Sequence, residues 1–127
     1  MASELRVTTI ANNAGTESVG STYVINGSAK AWILFDGTGT IAISDSFGVS
    51  GIADGGTGQY TITVTSAFST SDYCVAESMA GTSAVSCTYN NFTTNTSTAY
   101  RCNLRRVETT ADHDAKRVNE AFFGDLA

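Results

Sequence analysis

Few side chains in this sequence could do acid–base chemistry. The single histidine, His113, lies in "ADHDAK" between Asp112 and Asp114, and a carboxylate beside an imidazole can orient it as a general base. Such a base needs a nucleophile. Serines are abundant, but no G-x-S-x-G segment lifts one to the head of a strand–helix turn. A histidine between two aspartates in a polar turn reads more simply as solvated loop. Asp45, Asp54 and Asp72 fall near the ends of alternating segments, where aspartate commonly supplies turns. Their spacing fits neither a calcium-binding hand nor the acid pair of a glycosidase, leaving open only a loop-bound calcium ion. "GGTG" (55–58) lacks the lysine and following helix of a phosphate loop. The expectation is a non-enzymatic chain with no catalytic residue, no cofactor-binding residue and no metal site.

The remaining reactive groups are Cys74, Cys87 and Cys102. Their odd number and wide spacing suit neither a disulfide scaffold nor a zinc knuckle, and three free thiols in a reducing cytosol is the simpler reading. A Cys74–Cys87 bridge between adjacent strands is the alternative. Tyr73, Tyr89 and Tyr100 lie near expected loops and are the better candidates for a ligand surface, whereas Trp32 reads as core or interface.

The elements that must position these residues are strands. "QYTITVT" (59–65) turns Tyr60, Ile62 and Val64 one way and Thr61, Thr63 and Thr65 the other, the period of a half-buried strand. "KAWILFD" (30–36) sets Ala31, Ile33 and Phe35 against Trp32 and Leu34. A strand apolar on both faces belongs in the middle of a sandwich or is sealed by another subunit. "TIAIS" (40–44) and "FGVSGIAD" (47–54) follow, with Phe47, Val49 and Ile52 on one side and a bulge expected at Gly48 and Gly51. "GGTG" is a hairpin turn. "DYCVAES" (72–78), "AVSCTYN" (84–90), "YRCNLRRVE" (100–108) and "KRVNEAFF" (116–123) read as four more strands. In the last, Val118, Glu120 and Phe122 alternate with Asn119, Ala121 and Phe123, which favours strand over two turns of helix. Turn chemistry every 8–15 residues predicts an all-β fold, an antiparallel β-sandwich or jelly-roll-like domain over residues 21–127.

Residues 1–20 differ. "ELRVTTI" (4–10) is a strand pattern, but "ANNAGTESVGST" after it cannot make a tight two-residue hairpin back. This segment is expected to be an extended N-terminal arm whose Leu5, Val7 and Ile10 contact a partner, since an isolated strand is not stable alone.

Composition narrows the partners. A net charge of −5 and the absence of a basic stripe exclude a nucleic-acid surface. No apolar run is long enough to cross a membrane, and "MASELRV" lacks the pattern of a secretory signal. Charged residues are only 15% of the chain, against 42% hydrophobic. With serine and threonine at about a quarter of the sequence, the surface lacks the usual charged defence against association. A homo-oligomer is expected, with Trp32 or Leu34 on the covered face. A secreted carbohydrate-binding or hydrolytic domain would need a signal peptide or an acid pair, and the sequence carries neither.

The stretch "GSAKAWILFDGTGTIAISDSFGVSGIADGGTGQYTITVTSAF" (27–68) resembles a module of tailed-bacteriophage virion proteins of the tail-fibre-like family. The matching positions are Lys30, Ala31, Trp32, Gly37 to Thr40, Asp45, Ser46, Phe47, Val49, Ser50, Asp54, Gly56 to Gly58, Tyr60 and Thr61. "MASELRV" and "GDLA" (124–127) are similar to the ends of short stand-alone members. Gly48 and Gly55 stand where those members carry asparagine, Ala53 precedes Asp54, and residues 69–110 lie outside the resemblance. The resemblance implies a virion structural protein acting as a homo-oligomer, in particular a trimer, assembled in the host cytoplasm. Its partners would be other virion proteins and a host surface receptor, and it brings no catalytic residues. A capsid decoration or cement protein that stabilises the shell is the alternative.

Overall fold

The alternation in the sequence becomes two facing sheets. The computed structural model describes residues 3–80, 86–88, 95–106 and 110–127. A short hairpin, β1 (Thr9–Ala11) and β2 (Ser18–Gly20), leads into helix α1 (Ser21–Gly27). The strands β3 (Ala31–Asp36), β4 (Ala42–Phe47), β5 (Val49–Gly56), β6 (Gln59–Val64), β7 (Cys74–Ala80), β8 (Ser86–Thr88), β9 (Ala99–Arg106) and β10 (Arg117–Phe123) follow. One sheet has the order β4-β3-β10-β7 and the other β5-β6-β9-β8, and every pairing is antiparallel. The architecture is an all-β sandwich, and the "KRVNEAFF" segment is strand.

The inner faces are the ones the period predicts. Ala31, Ile33 and Phe35 of β3 meet Val118 and Phe122 of β10 on one side of the core, facing Tyr60, Ile62 and Val64 of β6 and Tyr100, Cys102 and Leu104 of β9. Full burial of a side chain such as Ile33, Phe35 or Leu104 stabilises the fold by ~1.5–3 kcal/mol. Aromatic pairs lock the sheets together edge to face. Phe35 meets Tyr60 with ring centroids 5.1 Å apart, and Tyr100 meets Phe122 at 5.4 Å. Each pair adds about 0.5–1.5 kcal/mol beyond area alone. Tyr73 stacks on Phe68 at 4.5 Å. The final residues clamp this corner, with Phe68 bridged to Leu126 and the Ser69 N–H donating to the Asp125 carbonyl at 2.8 Å.

Two glycines decide the topology. "FGVSGIAD" is not one strand. At Gly48 (φ +66°) the chain leaves β4 for β5 and crosses from one sheet to the other. A Cβ there would lie 2.7 Å from the Lys30 carbonyl oxygen, too close for any side chain. Phe47 and Val49, placed on one face by parity, therefore point to different places. The bulge expected nearby is present, as a register shift between Val49 and Gly51. Gly58 (φ +66°) ends the β5–β6 turn beneath the β9–β10 connection, where a Cβ would meet the Leu104 carbonyl at 2.5 Å.

The N-terminal segment is not the unpaired strand that its sequence suggests. The strand is Thr9–Ala11, not 4–10, and it has a local partner, with Ile10 opposite Val19 in the hairpin with β2. The loop closes without a tight turn because Asn12 does the work of one. Its side-chain oxygen accepts from the Thr16 N–H at 3.0 Å, its backbone N–H donates to the Glu17 carbonyl at 3.0 Å, and Gly15 takes the left-handed conformation. Helix α1 was not evident from periodicity, since so short a segment makes barely two turns and buries no residue. Within the domain expected over residues 21–127, the first buried residue is Ala31.

Candidate interaction surface

Asp45, Asp54, Asp112 and Asp114, carboxylates singled out in the sequence, are held in hydrogen bonds. Asp114 accepts hydrogen bonds from the Tyr60 hydroxyl and the Gly58 N–H, both at 2.7 Å. Asp112 forms an ion pair with Arg105 at 2.9 Å and accepts from Gln59 at 3.2 Å. The Arg105 hydrogen bond, followed by the Gln59 one, holds the Asp112 carboxyl below the usual carboxylate range. The two aspartates thus fasten the β9–β10 connection to the β5–β6 hairpin and β9, rather than lying free in a solvated loop. His113 between them is half-buried, and its backbone N–H donates to Leu104 at 3.0 Å. Asp54 accepts from the Gly56 N–H and Asp45 from its neighbour Ser46. Asp36, which the sequence reading passed over, accepts from both the hydroxyl and the N–H of Thr38 and shapes the β3–β4 turn. Asp45 and Asp54 lie within β4 and β5, not at their ends.

Two of the tyrosines expected at a ligand surface, Tyr73 and Tyr100, are drawn inward. Tyr100 is 1% exposed, and its ring completes the core. Tyr73 is half-buried on Phe68 and donates its hydroxyl hydrogen to the Ala99 carbonyl. Tyr89 lies outside the described residues. Both are recruited because strands in a small sandwich turn alternate residues inward right to their ends. Cys74 is an exposed free thiol on β7 and Cys102 a buried one on β9. The side chain of Cys87 lies outside the described residues.

What remains is apolar surface. Trp32 is 37% exposed on the outer face of the β4-β3-β10-β7 sheet, while its neighbour Ile33 is 1% exposed on the inner face. Across the sheet Trp32 pairs with Phe47 on one side and Ala121 on the other, and Ala121 pairs in turn with Ala76. Phe47 is 60% exposed. The next row runs Asp45, Leu34, Asn119 and Ser78, with Leu34 half-buried. Between the rows lies a shallow depression of about 430 Å³. Strand β4 is the edge of this sheet, exposed almost throughout and carrying neither lysine nor proline to deter pairing. The outer face joins Trp32 and Leu34, as the pattern of β3 requires. It adds Phe47, which parity had set on one side with Val49.

Leu5, Val7 and Ile10 stand apart from this face, on the arm, at 86%, 42% and 46% exposure. Tyr23 and Ile25 of α1 extend the exposed apolar set. Their signal in the sequence was the apolar run "YVI" itself, in a segment read as the start of the compact domain.

No protein-family model matches this chain, and neither a curated protein nor a solved structure does.

Proposed function

We propose that this chain is a non-enzymatic structural protein of a tailed-bacteriophage virion, a tail-fibre-like subunit that works as a homotrimer and joins the particle through its N-terminal arm. The observation that carries the reading is the arm itself. From Ser3 to α1 it buries nothing against its own sandwich while exposing Leu5, Val7, Ile10, Tyr23 and Ile25. Apolar residues held in water gain only when another surface covers them. Support also comes from the resemblance over residues 27–68, which spans β3 to β6 and so contains both strands that bear Trp32 and Phe47. In this reading the outer face around Trp32 and Leu34 meets the neighbouring subunit, and loops at the far end contact the host receptor.

A second reading is favoured by one feature. Residues 3–7 have no strand partner among the described residues, so this segment suits addition to the sheet edge of a shell protein, as a capsid decoration protein would do. Electron microscopy of particles labelled on this chain separates the two. Label on the tail supports the fibre subunit, label over the capsid lattice supports the decoration protein, and particles without label overturn both.

A further inference from the structure

The core contains an acid that its packing does not satisfy. Glu120 of β10 is 2% exposed, the one charged residue buried among the described residues. Neither of its carboxyl oxygens makes a hydrogen bond of ordinary geometry among them, and the polar groups within reach are the Glu77 carboxyl and the Cys102 thiol. In the sheet it stands opposite Ile33 of β3 on one side and Glu77 of β7 on the other. From β9, across the sandwich, Cys102 faces it, and Tyr100 donates its hydroxyl hydrogen to Glu77. The inward residues of β6, Tyr60, Ile62 and Val64, bring no cation. An ionised carboxylate in this place would be desolvated, unpaired and repelled by Glu77, which a folded protein tolerates poorly.

We infer that Glu120 is a proton latch, buried as the neutral acid, whose ionisation loosens the docking of β10 against β9 and opens the sandwich as pH rises. The inference is independent of any role in a virion. Burial first, and the charge of Glu77 second, push the Glu120 carboxyl up to about 9 from its ordinary 4.5. The unfolded chain gives up this proton near 4.5, whereas the folded chain keeps it to about 9. Over that window folding takes up a proton, so stability is highest below it and is lost as pH rises through it. Burial, then the negative charge of Glu120, raises the Cys102 thiol as well, so it stays neutral in the folded chain and adds proton uptake only near 9, where the unfolded thiol titrates. Asp36 and Asp112, whose carboxyls are lowered, act on the acid side and leave this window clear.

The test is the unfolding equilibrium in urea for the full chain and for Glu120→Gln, between about pH 5.5 and 8.5. The wild type should show its unfolding constant rising close to tenfold per pH unit. In Glu120→Gln, an isosteric neutral side chain, that slope should vanish and the variant should outlast the wild type at the alkaline end. An unchanged slope in the variant overturns the inference. If the variant does not fold, carbon-13 NMR of the wild-type glutamate carboxyls decides. A Glu120 signal that titrates above neutral pH supports the latch, and one that titrates in the ordinary carboxylate range overturns it.

Discussion

Tyr60 closes one end of the core with both halves of its side chain. Its ring packs edge-on to Phe35, and its hydroxyl lies 2.9 Å from the Gly37 carbonyl and 2.7 Å from Asp114, sharing one hydrogen between them. Burial, reinforced by the Asp114 hydrogen bond, raises the phenol far above its ordinary range, so it remains a donor at any pH the fold survives. Tyr60→Phe keeps the ring and removes the hydroxyl. The loss should be about 1–3 kcal/mol in urea denaturation, since it takes a donor from the Gly37 carbonyl and leaves Asp114 with the Gly58 N–H. The thiols are also predictable residue by residue. In the native protein Cys74 should react promptly with a maleimide, and Cys102 only on unfolding. Alkylation under denaturing, non-reducing conditions should modify all three cysteines, and a mass showing only one would reveal a bridge.

At the scale of elements, turns and connections carry more constraint than strands. Gly58 must be left-handed and must admit the Leu104 carbonyl, which accepts the His113 N–H while the Leu104 N–H donates back to Gly58 at 2.7 Å. Gly58→Ala should therefore cost more than the ~1–2 kcal/mol of a left-handed backbone alone, seen as a lowered midpoint in thermal denaturation. The arm is the opposite case. Deleting residues 2–12 removes β1 and no residue of the core. Circular dichroism should still report a folded β-domain, while incorporation into particles should be lost. Normal occupancy by the truncated chain would mean that anchoring lies in the sandwich.

At the scale of the whole molecule, the proposed oligomer rests on the face around Trp32 and the unprotected β4 edge. Light scattering of the intact chain at micromolar concentration should give a trimer, and a stable monomer would refute the oligomer. Replacing Trp32 and Phe47 together by serine should shift the population toward monomer. The monomer should stay folded at a cost of about 1–3 kcal/mol, because Phe47 lies mostly in water while Trp32 is largely covered.

The strands were legible because a sandwich demands a period of two, and only side chains write that period. Nearly every strand from β3 to β10 and the inward set Ala31, Ile33, Phe35, Tyr60, Ile62 and Val64 follow from it. Parity also placed Glu120 on one face with Val118 and Phe122. It could not say that Glu77, from a strand forty residues earlier in the chain, would stand opposite, because which strands become neighbours is decided by non-local pairing. The same limit hid the change of sheets at Gly48, where one left-handed residue turns Phe47 out while Val49 packs on the core. It also hid the roles of Asp112 and Asp114, whose partners Gln59 and Tyr60 lie on a different strand. The sequence determined what each strand buries, since burial depends on the local alternation of side chains. The tertiary structure decided what each polar group meets, since hydrogen bonds and charge pairs depend on which distant segments the core brings together.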